Sequence, residues 1–556
     1  MVEMIIPGTY ITVRSEGLIS AGRVATGIVG IVGTAASGPV GEPVTLSGFA
    51  NAREVFGLPD DFAQPVDGSN PLTLVRTLEQ LYNNGASSVV AVRVAGSSQS
   101  KATYAVRDSN GNSTVNLVAK TPGTWANDLQ IEIAEAEEDC RIESEVYEDT
   151  FTGLNYAPIV PSAENQIRIY RGVSKLTKPL DIVYQEGTET KTPESGQVVV
   201  TVEDGSLIFA TGEAPDAANG DRLLASYLVD QASCVQVNLD ISPLSESYTV
   251  PDGNYLATLV NQTSLLVDTT PNATAGGNLP QVGVNAYFGT GSNTPGSNGA
   301  EAAATEYGEG LAVLADELIN IVVLAGQDAE AMGSVLQAHL KSTEQTDHER
   351  IGVMGAPGDT VAEFLGHNIA DDRLILVAPG MITVDGIVLP TAYTAAAVAG
   401  LIASLPVQTS LTNKPLIVPG LALSANPGQQ IQLIKRNVLT VIPKLGYRIV
   451  KGLTTAGEGA PFSAIPTRRI VDYAKYGVRS AANPYIGRLN NARVRGALKA
   501  TLDAFLTRMV EDEALTGYSL EVTATRAQEI AGEVNVTMTL QPTFSIDFIR
   551  VTMNLK

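Results

Sequence analysis

The sequence is poor in the side chains that most enzymes and secreted scaffolds depend on. Its 556 residues include 2 cysteines, 3 histidines and 1 tryptophan, and aromatics make up only 5%. Cys140 and Cys234 cannot form a disulfide framework or, alone, a zinc cage. A single bridge between them stays open beside the reading of two buried thiols. His339, His348 and His367 leave little room for imidazole chemistry, and none stands in a nucleophile or base motif. Positive charge is short too: 36 Lys and Arg against 59 Asp and Glu give a net charge of −23. That balance argues against a nucleic-acid binder, since phosphate contacts need clustered cations. The most apolar run, 395–407, is shorter than the ~20 residues of a membrane span and contains Gly400, Ser404 and Pro406. The N-terminal MVEMIIPGTY has neither the basic nor the apolar segment of a signal peptide. No membrane partner is therefore expected.

Motifs for chemistry are missing as well. Gly27, Gly30 and Gly33 lack dinucleotide-loop spacing and read as structural glycines in a buried strand. Phosphate-loop, metalloprotease, nucleophile-elbow and calcium-loop patterns do not occur. Nine acids stand against one base between Ile131 and Asp149, but without ligand spacing, so they read as a solvated face. No catalytic residue, cofactor or metal is expected.

What is present is core material, 44% hydrophobic, enough for three or four domains of ~100–200 residues. Residues 1–20 read as a short extended arm. The β-branched run after Gly27 is a buried strand; Leu72, Val75, Leu78, Leu81 and Tyr82 recur at helical spacing, and 89–94 is the next strand. Residues 97–300 turn short-ranged and strand-like, and 270–300 reads as a long loop or linker. From 301 the alternation returns: helix 311–318, strand 321–325, helix 331–340, strand 351–354, helix 360–370, strand 374–378, helix 392–405. Apolar strands separated by helices predict a parallel sheet covered on both faces. The fold class is α/β, α+β overall. An α/β core (21–96 plus 301–430) carries a β-rich outer insertion (97–300) and an α+β C-terminal domain (431–540), with a terminal strand at 541–556. Residues 431–441 fit helix or strand, and 490–515 is an amphipathic helix. Phe544, Ile546 and Phe548 alternate; Ile549, Val551 and Met553 follow with the phase slipped by one, as at a bulge or a strand changing partners.

Charge is unevenly placed. Residues 431–556 hold 17 Lys and Arg against 10 Asp and Glu, a net of +7, whereas the preceding residues carry −30. Between Arg468 and Lys499 stand eight bases (Arg468, Arg469, Lys475, Arg479, Arg488, Arg493, Arg495, Lys499) and one acid, Asp472. This reads either as a solvated helix face or as an electrostatic docking surface for an acidic partner. The charge order along 490–515, basic first and acidic last, opposes the helix dipole and favours the second reading.

Several segments in order resemble one family. Pro7-Gly8-Thr9-Tyr10 is similar to a P-G-x-Y arm, and Gly33-Thr34-Ala35-Ala36-Ser37-Gly38-Pro39 to a G-x-A-x-x-G-P turn. Phe56-Gly57, Leu81 to Gly85 and Val90 to Val94 follow, then Thr121-Pro122-Gly123-Thr124-Trp125-Ala126-Asn127. Leu515 to Tyr518, Gly532 to Val536 and Phe548 to Val551 complete the series. Together, over 7–134 and 300–556, they resemble the contractile tail sheath proteins of bacteriophages. The resemblance implies a helical or stacked-ring homopolymer around an inner tail tube, with baseplate and tail terminator proteins as further partners. It would assemble in the host bacterial cytoplasm, lie in the virion tail and contract to drive the tube through the host envelope. It implies inter-subunit arms at Pro7, Gly8, Tyr10, Ile11 and Val13 and at Phe544, Ile546, Phe548, Val551 and Met553, each adding a strand to a neighbour. A tube-facing basic surface falls on Arg488, Arg493, Arg495 and Lys499. Two alternatives stay open: the sheath of a phage-derived injection system or tailocin, and an α/β hydrolase with an unrecognised site.

Overall fold

The computed structural model describes residues 26–58, 72–172 and 178–554, and the backbone of 175–176. The chain divides into two compact units. One is built from both ends of the sequence, up to Gly96 and from Ala300 onward; the other is Ser97–Gly299.

In the first unit the β-branched runs become strands of one nine-stranded sheet. Before the break stand β1 (Ile28–Gly33), β2 (Pro43–Leu46), α1 (Phe49–Phe56), α2 (Leu74–Asn83) and β3 (Ser88–Arg93). After it come α3 (Ala304–Val313), β4 (Ile321–Asp328), α4 (Ala329–Gln345), β5 (Ile351–Gly355), α5 (Val361–Leu365), β6 (Leu374–Ala378), α6 (Thr391–Ser404), β7 (Pro415–Leu416), α7 (Pro427–Lys435), β8 (Val438–Pro443) and β9 (Tyr447–Ile449). The sheet order is β2-β3-β1-β4-β5-β6-β8-β9-β7. Its six central strands are parallel, with Val29 opposite both Val89 and Ile321, and Val377 opposite Leu439.

Successive residues of a strand serve opposite faces. On β1, Val29 and Ile31 join the cluster of α2 and α6, and Val32 joins that of α3 and α4. The apolar run at 395–407 is mostly α6, buried on nearly every side and therefore alanine-rich. No described helix is long and apolar enough to cross a membrane.

The structure moves four of the expected boundaries. Residues 431–441 are helix then strand, and β8 pairs with β6, so the core sheet runs past 430. The helix expected at 311–318 lies earlier, at Ala304–Val313, with the Glu306 carboxylate accepting the Ala303 N–H (2.8 Å) at its start, and 314–318 lie beyond it. The helix expected over 360–370 stops at Leu365, before Gly366. The loop expected over 270–300 contains strand Val284–Tyr287, hydrogen-bonded to Gln130–Glu135, with Phe288 in the core. The strand is only four residues long and stands among Gly, Asn, Ser, Thr and Pro, which hide it.

Among the described residues the second unit is antiparallel except for one parallel pair, Asp181–Gln185 with Gln197–Thr201. Its sheets enclose one apolar cluster that includes Ile131, Ile142, Tyr227, Val237 and Leu256. Trp125 sits half-buried in the 3-10 turn Thr124–Asp128, with its indole N–H on the Thr121 carbonyl (3.2 Å). Cys140 and Cys234 are buried free thiols, and hydrogen bonding with Cys234, then burial, pushes the Cys140 thiol up. The unit holds 10 Lys and Arg against 26 Asp and Glu, so it carries −16 of the chain's −23.

Candidate inter-subunit surfaces

Beyond β9 the chain forms α8 (Ile465–Ala482), α9 (Ala492–Glu511), β10 (Leu515–Thr523), α10 (Arg526–Ala531) and β11 (Asn535–Pro542). Pro466 suits the first turn of α8, where its missing N–H would have no partner. Much of the basic run falls on α8 and turns inward. Arg468 pairs with Asp372 (3.0 Å) and Asp472 (2.8 Å), and its guanidinium lies 4.1 Å from the Phe462 ring centroid. Arg373, just before β6, reaches the same Asp472 with two bonds (2.8 and 3.1 Å) and Glu344 with a third (2.6 Å). Lys475 stands between Glu344 (3.4 Å) and Glu349 (3.5 Å). Arg479 grips Glu349 and Asp347.

This network shifts its members. Hydrogen bonding to Arg373 holds the Glu344 carboxyl down at about 2. Burial works against the charged form of Glu349, and the Arg479 hydrogen bond, a backbone hydrogen bond and the Arg479 and Lys475 charges together outweigh it, so its carboxyl also titrates low. Burial likewise opposes the Arg373 charge, and Glu344 and Asp472 outweigh it. The expected docking surface is thereby corrected: Arg468, Arg469, Lys475 and Arg479 are committed within the chain. Opposite Arg468, Lys475 and Arg479 lie acids 96 to 132 residues earlier in the sequence, and opposite Arg469 lie backbone carbonyls, none of which charge counting along a local window can see.

The four residues assigned to a tube-facing surface differ among themselves. Asn491 caps α9 by accepting the Val494 N–H (3.0 Å). Arg493 and Lys499 project exposed from its first half. Arg488 is exposed, its guanidinium 5.2 Å from the Tyr485 ring centroid. Arg495 departs from the expectation: it is mostly covered and pairs with Glu529 of α10 (2.9 Å) and Asn490 (2.8 Å). Beside them, Ile486, Leu489 and Ile530 are strongly exposed apolar side chains that the sequence reading missed. The signal for Ile486 and Leu489 was apolar residues close to Gly487, whose φ is +82°, and Ile530 had no such signal.

β10 and β11 form an antiparallel hairpin with Tyr518 opposite Leu540, Leu520 opposite Met538 and Val522 opposite Val536. Tyr518, Leu520, Val522, Val536 and Leu540 pack toward α9, and all six residues stay half-buried. Among the described residues the two strands pair only with each other, so each keeps an open outer edge. Residues 543–554 then continue without strand pairing. Phe544, Ile546, Phe548, Val551 and Met553 are 72–86% exposed, as is Ile549 of the opposite phase. The expected slip at 548/549 is thus no bulge within the chain, because this segment has no ladder here. Two contacts cross back: the Thr543 N–H donates to the Ala514 carbonyl (3.2 Å), and the Lys451 ammonium stands 5.8 Å from the Phe548 ring centroid. The N-terminal arm residues Pro7, Gly8, Tyr10, Ile11 and Val13 lie outside the described residues.

The architecture is that of sheath tail proteins. The sheath tail protein of Desulfitobacterium hafniense superposes with a TM-score of 0.57 at 15% identity, over 96% of this chain and 100% of that one. The sheath tail protein of Listeria innocua gives 0.56 at 12%, over 94% and 96%. Residues 300–455 match the phage tail sheath protein central domain, and residues 458–556 match the phage tail sheath C-terminal domain. The tail sheath protein of Bacillus phage SP01 is 21% identical over 539 residues, covering 92% of this chain and 89% of that protein. Residues 300–455 and 458–556 are phage tail sheath domains, and the likeness to a phage tail sheath protein extends over nearly the whole chain.

Proposed function

We propose that this subunit polymerises around an inner tail tube by exchanging terminal strands with its neighbours, and that the polymer contracts without losing those strands. The observation that carries the reading is the segment 543–554: six apolar side chains of a strand-patterned sequence stand in solvent beyond a hairpin with two open edges. An exposed segment of this kind is an aggregation hazard unless another chain pairs with it. The half-buried faces of Val536, Met538 and Leu540 would be covered by added strands. Residues 1–20 would serve as the second arm. Contraction is then a change of packing among subunits that stay linked.

Arg488, Arg493 and Lys499 form the tube-facing surface in this reading, and Arg495 supports it through Glu529. The work of the protein is done by interfaces, and no catalytic role is assigned. The test is electron microscopy of the expressed protein beside a chain ending at Pro542. The full chain should form hollow striated cylinders; the shortened chain should remain a folded, non-polymerising monomer. Normal-length cylinders from the shortened chain would refute the C-terminal arm.

A further inference from the structure

The point where the chain enters β1 is gripped on three sides. On the first, the Arg469 guanidinium of α8 donates from Nη2 to the Thr26 carbonyl (3.1 Å) and the Leu405 carbonyl (3.1 Å), and from Nη1 to the Pro406 carbonyl (3.4 Å). On the second, Gly27 is pressed against the end of α6: a Cβ built there would stand 2.2 Å from the Ala403 carbonyl oxygen. On the third, Asn320 accepts the Ile28 N–H at Oδ1 (3.0 Å) and donates its own N–H to the Ile28 carbonyl (2.9 Å).

Part of this has a local explanation. Leu405 and Pro406 follow the C-terminus of α6, where carbonyls lack helical partners and a cation is favoured. The bond to Thr26 has none, since the β1 ladder begins at Ile28 and does not need α8. A buried guanidinium loses hydration, so its use to reach a carbonyl far away in sequence calls for a reason.

The next contacts suggest one. Ile470 and Ala474 of α8 share a cluster with Phe505, Leu506 and Met509 of α9 and with Leu515 of β10. The fit is tight: a Cβ at Gly477 would meet the Phe505 ring at 1.9 Å. Tyr518, Leu520 and Leu540 of the hairpin pack onto the same cluster. One continuous packed path therefore runs from Thr26 through Arg469 to the hairpin.

We propose that Arg469 is a positioning residue that ties the root of the N-terminal arm to α8, so that tension on a subunit's own arm reaches the hairpin holding its neighbours' arms. The inference rests on the arm-exchange reading. Without the tie, a pulled arm peels away at Thr26 and connectivity fails during contraction.

The experiment assembles sheaths from the full chain, triggers contraction with mild denaturant, and compares cylinder lengths before and after by electron microscopy. Wild type is set beside Arg469→Leu, Arg469→Lys and Gly27→Ala, each checked for folding by circular dichroism. Gly27→Ala displaces the root from α6 without touching Arg469. The expected result is normal length before contraction for all. After it, Arg469→Leu and Gly27→Ala should give pieces several-fold shorter, and Arg469→Lys should be partly rescued. A merely structural role would lower the melting temperature of the variants and leave contracted lengths as in wild type. That outcome overturns the tie while leaving arm exchange intact. If Arg469→Leu does not fold, Gly27→Ala decides alone. Absence of wild-type cylinders would instead overturn the arm-exchange reading.

Discussion

Two buried arginines show how much context decides the worth of a charge. Arg373 reaches two carboxylates and one carbonyl, and the network around it spans α4, α8 and the residues just before β6. Arg93, also fully buried, donates from Nη1 to the Gly38 carbonyl (2.7 Å), while its Nε and Nη2 have no hydrogen-bond partner among the described residues. Burial accordingly pulls the Arg93 guanidinium down to about 10. Removing one member of a buried ionic group strands the others, at a cost of about 3–5 kcal/mol, whereas replacing a poorly paired buried charge with an apolar chain of similar length is near neutral. Arg373→Met should therefore lower stability by about that amount, and Arg93→Met should change it by under ~1 kcal/mol. Urea unfolding of non-polymerising protein measures both; similar losses at the two positions would refute the contrast. The pH dependence follows from Glu344, whose carboxyl is lowered from 4.5 to about 2 in the folded chain. A depressed acid contributes stability that is complete above its unfolded value and is lost as pH falls from there through its folded value. Stability should thus decline between about pH 4.5 and 2, and Arg373→Met should flatten that limb of the curve.

At the scale of elements, α9 separates charges that hold the module together from charges free to meet a partner. Arg495 and Glu529 join α9 to α10, both partly buried, whereas Arg493 and Lys499 make no ion pair among the described residues. Reversing Arg493 and Lys499 together should leave melting unchanged and self-assembly intact, and should impair assembly on tubes. Arg495→Glu should instead lower the melting temperature, because it sets two carboxylates against each other beside the hairpin. Calorimetry and tube-dependent assembly at matched salt distinguish the two; unchanged assembly of the double reversal would sink the tube-facing assignment. The elements themselves were largely legible. The β-branched runs around Val29, Ile321 and Ile375 gave the parallel sheet, and the spacing of Leu498, Leu502, Phe505 and Met509 gave α9. α8 itself was not read from the sequence, and local spacing would not have shown that Glu344, Glu349 and Asp372 wait opposite its basic face. The strand at Val284–Tyr287 was hidden for another reason: it is only four residues long and stands among Gly, Asn, Ser, Thr and Pro.

At the scale of the molecule, the net charge of −23 resolves into −16 on Ser97–Gly299 and −7 on the unit that carries the termini and the hairpin. The acidity therefore belongs mostly to an insertion that contributes no strand to the nine-stranded sheet and no residue to the hairpin. The ends of the interrupted unit meet closely: a Cβ built on Gly96 would stand 2.1 Å from the Ala300 carbonyl oxygen. Closing such a gap with a few residues costs little chain entropy, since the loop is short and its ends are already adjacent. A chain in which Ser97–Gly299 is replaced by a short Gly-Ser linker should therefore fold, retain the parallel sheet and the α8 ionic network, and carry a net charge near −7. If the insertion lies on the outside of the polymer, this chain should still form cylinders. They should be narrower than those of the full chain, with the axial repeat preserved because the arms and hairpin are untouched. Circular dichroism and electron microscopy together decide the matter. An insoluble product would show that the two units depend on each other for folding. A soluble, folded product that never polymerises would show that the insertion takes part in the lattice, and would overturn its assignment to the outer surface.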